Sequence, residues 1–273
     1  MDERATSAGN RLRSYFAISH GLPLFVTIIA MALAGSFYIS NSLFGALVYV
    51  GMASPLFAVL YVLYRHYGPA ERRAYGMSII DVRRIPVRWW VFVIAFPILI
   101  RFVAALIDAS FALGEMTFHL SPEMTLPYAI LLLFFGPIHE ELGWRGIALP
   151  ELEKRYGFVI AVLVLGFLWA IWHLPVFFVE GTYQHQLGIF TPLFWSFMLG
   201  ILFTSVVYGA IYFGTNRSIL AVILFHYVGN LVGETFEMTT GAELISTILR
   251  GVVAVLIVIY YMKYRKNSRL YRQ

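Results

Sequence analysis

The chain has 273 residues, 60% of them hydrophobic and only 13% charged, with a net charge of +5 and no cysteine. Soluble domains average about 45–50% apolar and about 25% charged residues, so this composition excludes an ordinary soluble fold. The missing cysteines exclude disulfides, thiolate chemistry and Cys-ligated metals. The placement of the positive charge makes it a membrane-orientation signal rather than a nucleic-acid surface.

Apolar blocks of about 20 residues recur along the chain, the length a membrane-crossing helix needs. They do not alternate apolar with polar residues, as strands of a membrane barrel would. Lipid forces the backbone to satisfy its own hydrogen bonds, so the blocks are predicted to be helices. Eight spans are expected, over 21–39, 43–64, 89–113, 126–143, 158–179, 190–213, 218–233 and 244–262. The fold class is an all-α integral membrane protein, a single polytopic domain over 1–273.

Lys and Arg concentrate on the cytoplasmic side of membrane proteins. Here Arg4, Arg11 and Arg13 precede the first block. Arg65, Arg72, Arg73, Arg83, Arg84 and Arg88 lie between the second and third. Arg145, Lys154 and Arg155 follow the fourth, and Arg217 follows the sixth. Lys263, Arg265, Lys266, Arg269 and Arg272 close the chain. Eighteen of the 20 basic residues thus fall on one side. The opposite loops carry Glu115, Glu123, Glu180, Glu234, Glu237 and Glu243. Both termini are expected in the cytoplasm. The run Ala32-Leu33-Ala34 resembles a signal-peptidase site, but the apolar block continues past it, and the block reads as a retained span. The cytoplasmic loop 67–88 mixes Arg with Met77, Ile79, Ile80 and Val82. It reads equally as a segment lying on an anionic leaflet or as a solvated positive loop.

An ionisable residue inside a span is costly and marks a candidate site. Arg101 and Asp108, seven apart on the third span, read as structural. Three further groups lie in the motif-bearing region 126–233. Glu140-Glu141 sits at the end of the fourth span, with Arg145 four residues after Glu141 and on its face. Adjacent helical residues point about 100° apart, so Glu140 is left to face elsewhere, and a carboxylate in a low-dielectric site suits a general base. His173 lies in the fifth span, one turn after Trp169 and just before Pro175. His226 and Asn230 share a face of the seventh span. They can orient water or donate to an oxyanion, and the imidazole can ligate a metal. Taken singly, each group also fits plain interhelical hydrogen bonding. His139-Glu140 fails the zincin H-E-x-x-H pattern, because Gly143 stands at its second His position.

Glu140-Glu141 with Arg145 resembles the E-E-x-x-x-R motif of the CAAX protease and bacteriocin-processing family, which includes the type II CAAX prenyl endopeptidases. His173 resembles the His of its F-x-x-x-H motif, and His226 with Asn230 its H-x-x-x-N motif, in the same order. Trp169 stands where that motif has Phe, an exchange expected to alter packing more than chemistry. The resemblance implies an eight-span helical fold and removal of a C-terminal tripeptide after a prenylated Cys. The expected catalytic set is Glu140 activating water, His173 sharing its proton, and His226 with Asn230 stabilising the oxyanion. Glu141 and Arg145 support them. No cofactor is required in this scheme. A rival scheme places Zn²⁺ on Glu140, His173 and His226.

The implied partners are the lipid bilayer and a lipidated peptide or protein substrate, with no nucleic acid. The implied location is a prokaryotic plasma membrane or a eukaryotic internal membrane, the site being reached from the cytoplasm. A non-enzymatic scaffold or bacteriocin-immunity protein is the alternative of another class, and a transporter a third. Helical rise puts His226 about 12 Å into its span and His173 about 22 Å into its own, so their meeting requires the two helices to be offset or tilted.

Overall fold

The computed structural model describes residues 3–35, 40–111, 126–236 and 238–264. Glu115, Glu123, Glu237, Arg265, Lys266, Arg269 and Arg272 of the charge pattern lie outside these residues. So do the ends of the first and third predicted spans, Ile39 and Leu113, and the side chain of Arg4.

The chain is helical among the described residues, in twelve α-helices with short π and 3-10 turns. They are α1 Glu3–Gly35, α2 Asn41–Met52, α3 Ser54–His66, α4 Pro69–Ile80, α5 Val87–Ser110, α6 Leu126–Leu133, α7 His139–Gly143, α8 Leu149–Trp172, α9 Tyr183–Leu187, α10 Pro192–Gly214, α11 Ile219–Thr235 and α12 Thr240–Tyr264. The chain is an integral membrane protein. Among the described residues six helical stretches are long and apolar enough to cross a membrane, and Ile219–Thr235 adds a shorter apolar helix. One stretch, Leu126–Phe178, takes in the fourth predicted span and nearly all of the fifth.

The bundle has a centre and a periphery. Only 17% of the apolar window on Val87–Ser110 is buried, against 50% on Pro192–Gly214, so α5 turns most of its surface outward and α10 lies inside. Outward residues such as Leu24, Phe25 and Ile28 on α1 and Val91 and Leu99 on α5 are large and apolar, a surface that matches lipid rather than water. α10 packs between α8 and α12, α5 packs on α11 and α12, and α1 packs on α2 and α3. The fully buried side chains Trp144, Arg145, Tyr15, Ile147, Leu149, Leu165, Ile211 and Ile219 place the core around the start of α8. Gly143 makes that closeness possible: a Cβ there would collide with the Tyr15 hydroxyl of α1.

The loop 67–88 is largely helical. α4 is tied down by Tyr75, whose hydroxyl donates to the Leu142 carbonyl at 2.7 Å. Arg72 caps the end of α3 through the Leu63 and Tyr64 carbonyls, both at 2.8 Å. Pro175 stands where the α-helix stops. His173 caps α8, and a 3-10 turn over Leu174–Phe178 follows. Proline lacks the N–H that would continue the ladder. α8 also breaks at Gly157, which takes the left-handed φ of 75° that glycine tolerates.

Candidate active site

The acidic pair enters the core on an irregular stretch of helix. Pro137 has no N–H for the carbonyl one turn back, and the ladder opens into π turns at Phe134–Ile138 and again at Trp144–Ala148. Between them α7 is a single turn. Both carboxylates point inward, Glu140 being 5% exposed and Glu141 fully buried. They go to different partners.

Glu141 meets Arg145 and His226. Both of its oxygens accept from Arg145 Nη1, at 2.9 and 3.0 Å. Its Oε1 also lies 2.9 Å from His226 Nδ1. Arg145 Nε and Nη2 have no hydrogen bond. Instead the guanidinium lies between two rings, its Cζ 4.3 Å from the centre of Trp169 and 4.1 Å from that of Tyr208, so cation–π attraction helps hold the buried charge.

Glu140 meets Trp169, whose indole N–H donates to Oε2 at 2.5 Å. This corrects the expectation for the exchange of Phe by Trp at this position: phenylalanine has no donor, so the exchange adds a polar contact to the acid itself. Across from this oxygen, a Cβ on Gly136 would sit 3.9 Å from Glu140 Oε1 and 3.2 Å from Asn230 Nδ2. Glycine leaves that gap open.

The two imidazoles flank the same indole. The ring centres of His173 and His226 lie 5.9 and 5.8 Å from that of Trp169, and both histidines lie within electrostatic reach of Glu140. The two histidines meet at one indole despite the predicted difference in depth. His173 Nδ1 lies 2.8 Å from the Trp169 carbonyl. A carbonyl only accepts, so Nδ1 donates and Nε2 keeps its lone pair. His226 Nδ1 likewise donates, to the Glu141 carboxylate at 2.9 Å. Glu140, His173, His226 and Asn230 thus come together, with Glu141 and Arg145 beside them.

Three further residues line the site that sequence reasoning gave no role in it. The donor role of Trp169 follows only from its facing Glu140 across 29 residues. Tyr208 stacks edge-on against Trp169 and His226, and no motif marked it. His139, next to Glu140 in sequence, is buried and within electrostatic reach of it.

Among the described residues no three His, Cys, Asp or Glu side chains converge as a metal ion would require, and one oxygen of Glu140 is taken up by the indole.

Residues 122–232 match the family described as Type II CAAX prenyl endopeptidase Rce1-like, a range that holds every residue of this site. CAAX prenyl protease 2 of Methanococcus maripaludis is 28% identical over 196 residues, covering 70% of this chain and 70% of that protein. A helical membrane bundle with these motifs at its centre is an intramembrane protease. Over residues 122–232 the chain is similar to the CAAX protease family.

Proposed function

We propose that this protease hydrolyses a peptide bond near the C-terminus of a membrane-associated, prenylated CAAX-type substrate, using a water activated by Glu140. The observation that carries the reading is the pairing around Trp169. One oxygen of Glu140 is fixed by the indole, and two imidazoles lie on either side of that ring. The substrate class is supported by the name of the methanogen relative, which is a prenyl protease.

In this reading Glu140 takes a proton from water as the oxygen attacks the carbonyl carbon. His173 accepts a hydrogen bond from the same water through its free Nε2. The oxyanion is met by Asn230 Nδ2 and by His226. For His226 to donate from Nε2 while Nδ1 serves Glu141, it must carry both protons. Glu141 supplies the balancing negative charge at 2.9 Å. Arg145 fixes that carboxylate and so acts through it. The proton held by Glu140 then passes to the leaving nitrogen as the C–N bond breaks, which returns the site to its starting state.

The bilayer is the medium of the reaction, and the concentration of basic residues on one side supports a site reached from the cytoplasmic face of a prokaryotic plasma membrane or a eukaryotic internal membrane. The test is to incubate purified protein with a farnesylated C-a-a-X peptide and its unprenylated twin and to identify products by mass. The expected result is one cut, after the modified cysteine, with the unprenylated peptide spared. Equal cleavage of both peptides, or none of either, contradicts the substrate assignment.

A further inference from the structure

Two arginines lie inside apolar helices, Arg101 and Arg250, and the reaction outlined above uses neither. Arg101 is accounted for: its Nη2 donates to the Phe236 carbonyl and to Glu243 Oε1, both at 3.0 Å. Arg250 is not. Its Nε reaches the Ser246 carbonyl at 3.3 Å and its Nη2 the Thr247 hydroxyl at 3.0 Å. Both partners are neutral and belong to its own helix. Among the described residues it forms no ion pair, and Glu243, the carboxylate within its reach, is committed to Arg101. A cation removed from water without a counter-ion is expensive, and inside a membrane it marks a binding function by default.

The surroundings of Arg250 suit a ligand. Its side chain is largely surrounded by protein and keeps part of its accessible surface. Gly200 of α10 makes room for the guanidinium: a Cβ there would lie 3.1 Å from Nη1. The group also stands close to the reaction centre. Thr247, which anchors it, bonds the Ser196 hydroxyl at 2.8 Å. The next residue, Phe197, packs its ring 5.4 Å from that of His173. Tyr208, which touches His226, lies within electrostatic reach of both Arg250 and Glu140.

We propose that Arg250 is the subsite for the free C-terminal carboxylate of the substrate. The inference rests on the peptidase reading above and adds a specificity determinant to it. An extended tripeptide spans about 10 Å, and the contacts running from Arg250 through Thr247, Ser196 and the adjoining Phe197 to His173 give it a path between the two groups. The planar guanidinium fork matches a carboxylate better than any neutral acceptor. The separation between Glu140 and Arg250 then acts as a ruler that fixes how many residues are released.

The test uses full-length protein in detergent micelles and a free apolar tripeptide, Ala-Leu-Leu, with its C-terminal amide. Binding is measured by calorimetry, and cleavage is followed in parallel on C-a-a-X peptides ending in acid or amide. Wild type should bind the acid at least roughly 30-fold more tightly than the amide, the loss typical when one partner of a buried charge pair is removed. Arg250→Gln should weaken only the acid and erase the difference. Arg250→Lys, which keeps the charge and guards against misfolding of the Gln variant, should retain part of the preference. Equal binding of acid and amide by wild type overturns the proposal, as does an equal loss of both ligands in Arg250→Gln. Acid-selective binding with no cleavage of any peptide would refute the reaction while upholding the subsite.

Discussion

The indole N–H of Trp169 donates to Glu140 Oε2 at 2.5 Å, between two side chains that are each about 95% buried. A hydrogen bond to a buried carboxylate fixes the direction of the second oxygen as well as the first, because the carboxylate plane can no longer rotate. Glu140 Oε1 is thereby aimed at the gap above Gly136, where Asn230 also arrives.

Trp169→Phe keeps the ring against His173, His226 and Tyr208 and removes only the donor. Hydrogen bonds to charged groups contribute about 1.5–3 kcal/mol, and the family motif itself carries Phe, so activity should survive at a reduced level. A fall in kcat of roughly tenfold or more, with KM nearly unchanged, is expected. Steady-state kinetics in detergent check this. An unchanged kcat, or a change confined to KM, contradicts the positioning role.

Glu141 and Arg145 should act as one unit. Arg145→Ala leaves a buried carboxylate facing His226 alone, and Glu141→Ala leaves a buried guanidinium between two rings. Breaking such a pair typically costs about 3–5 kcal/mol. The double variant should lose much less than the sum of the two singles, in both thermal stability and activity. Additive losses would show that the contacts at 2.9 and 3.0 Å are not coupled.

These two pairs mark where sequence reading succeeds and where it stops. Glu141 and Arg145 are four residues apart on a helix, so their pairing follows from local geometry. The membrane class and the helical fold follow from apolar blocks, which lipid allows only as helices. The contact between Glu140 and Trp169 joins positions 29 apart on different helices, and the two π turns around α7 decide which way each carboxylate points. Neither is encoded in any local spacing. Pro137 is visible in the sequence, but whether a proline kinks, ends or widens a helix depends on what fills the space beside it. Pro175 illustrates this, since it stands at the end of its helix rather than at a bend. Arg250 stands in an apolar block of the sequence, but its lack of an ion pair among the described residues needed the packing of α10 on α12.

A pH effect is expected at the edge of the bundle. Partial burial pushes the Glu71 carboxyl up, but the Gly68 N–H at 2.9 Å and the Arg11 guanidinium at 2.7 Å together hold it below the usual carboxylate value. A carboxyl lowered in the folded state contributes stability above its unfolded value and loses it as pH falls through the folded one. The start of α4 should therefore loosen as pH falls below the usual carboxylate range. Hydrogen exchange at Arg72, whose amide closes on the Gly68 carbonyl at 3.0 Å, should quicken there. Glu71→Gln should exchange at the faster rate already at neutral pH. A pH-independent rate in wild type would contradict the assignment.

The charge pattern sets an orientation. The topology predicted from the basic residues puts both ends in the cytoplasm, so tags at either end should be digested when protease is added to inverted vesicles. Protection of either tag would contradict an arrangement with both ends in the cytoplasm.

The central claim is that Glu140 activates the water and that no metal is obligatory. It is tested most directly by single-turnover cleavage of a farnesylated C-a-a-X peptide after prolonged treatment with a strong zinc chelator, with wild type, Glu140→Ala and Asn230→Ala run side by side. The account predicts that chelated wild type keeps most of its rate. Asn230→Ala should fall by roughly 10²–10³, the usual loss for one oxyanion donor, and Glu140→Ala should show no turnover while still binding substrate. A wild-type rate abolished by the chelator and restored by Zn²⁺ alone, or turnover persisting in Glu140→Ala, would contradict it.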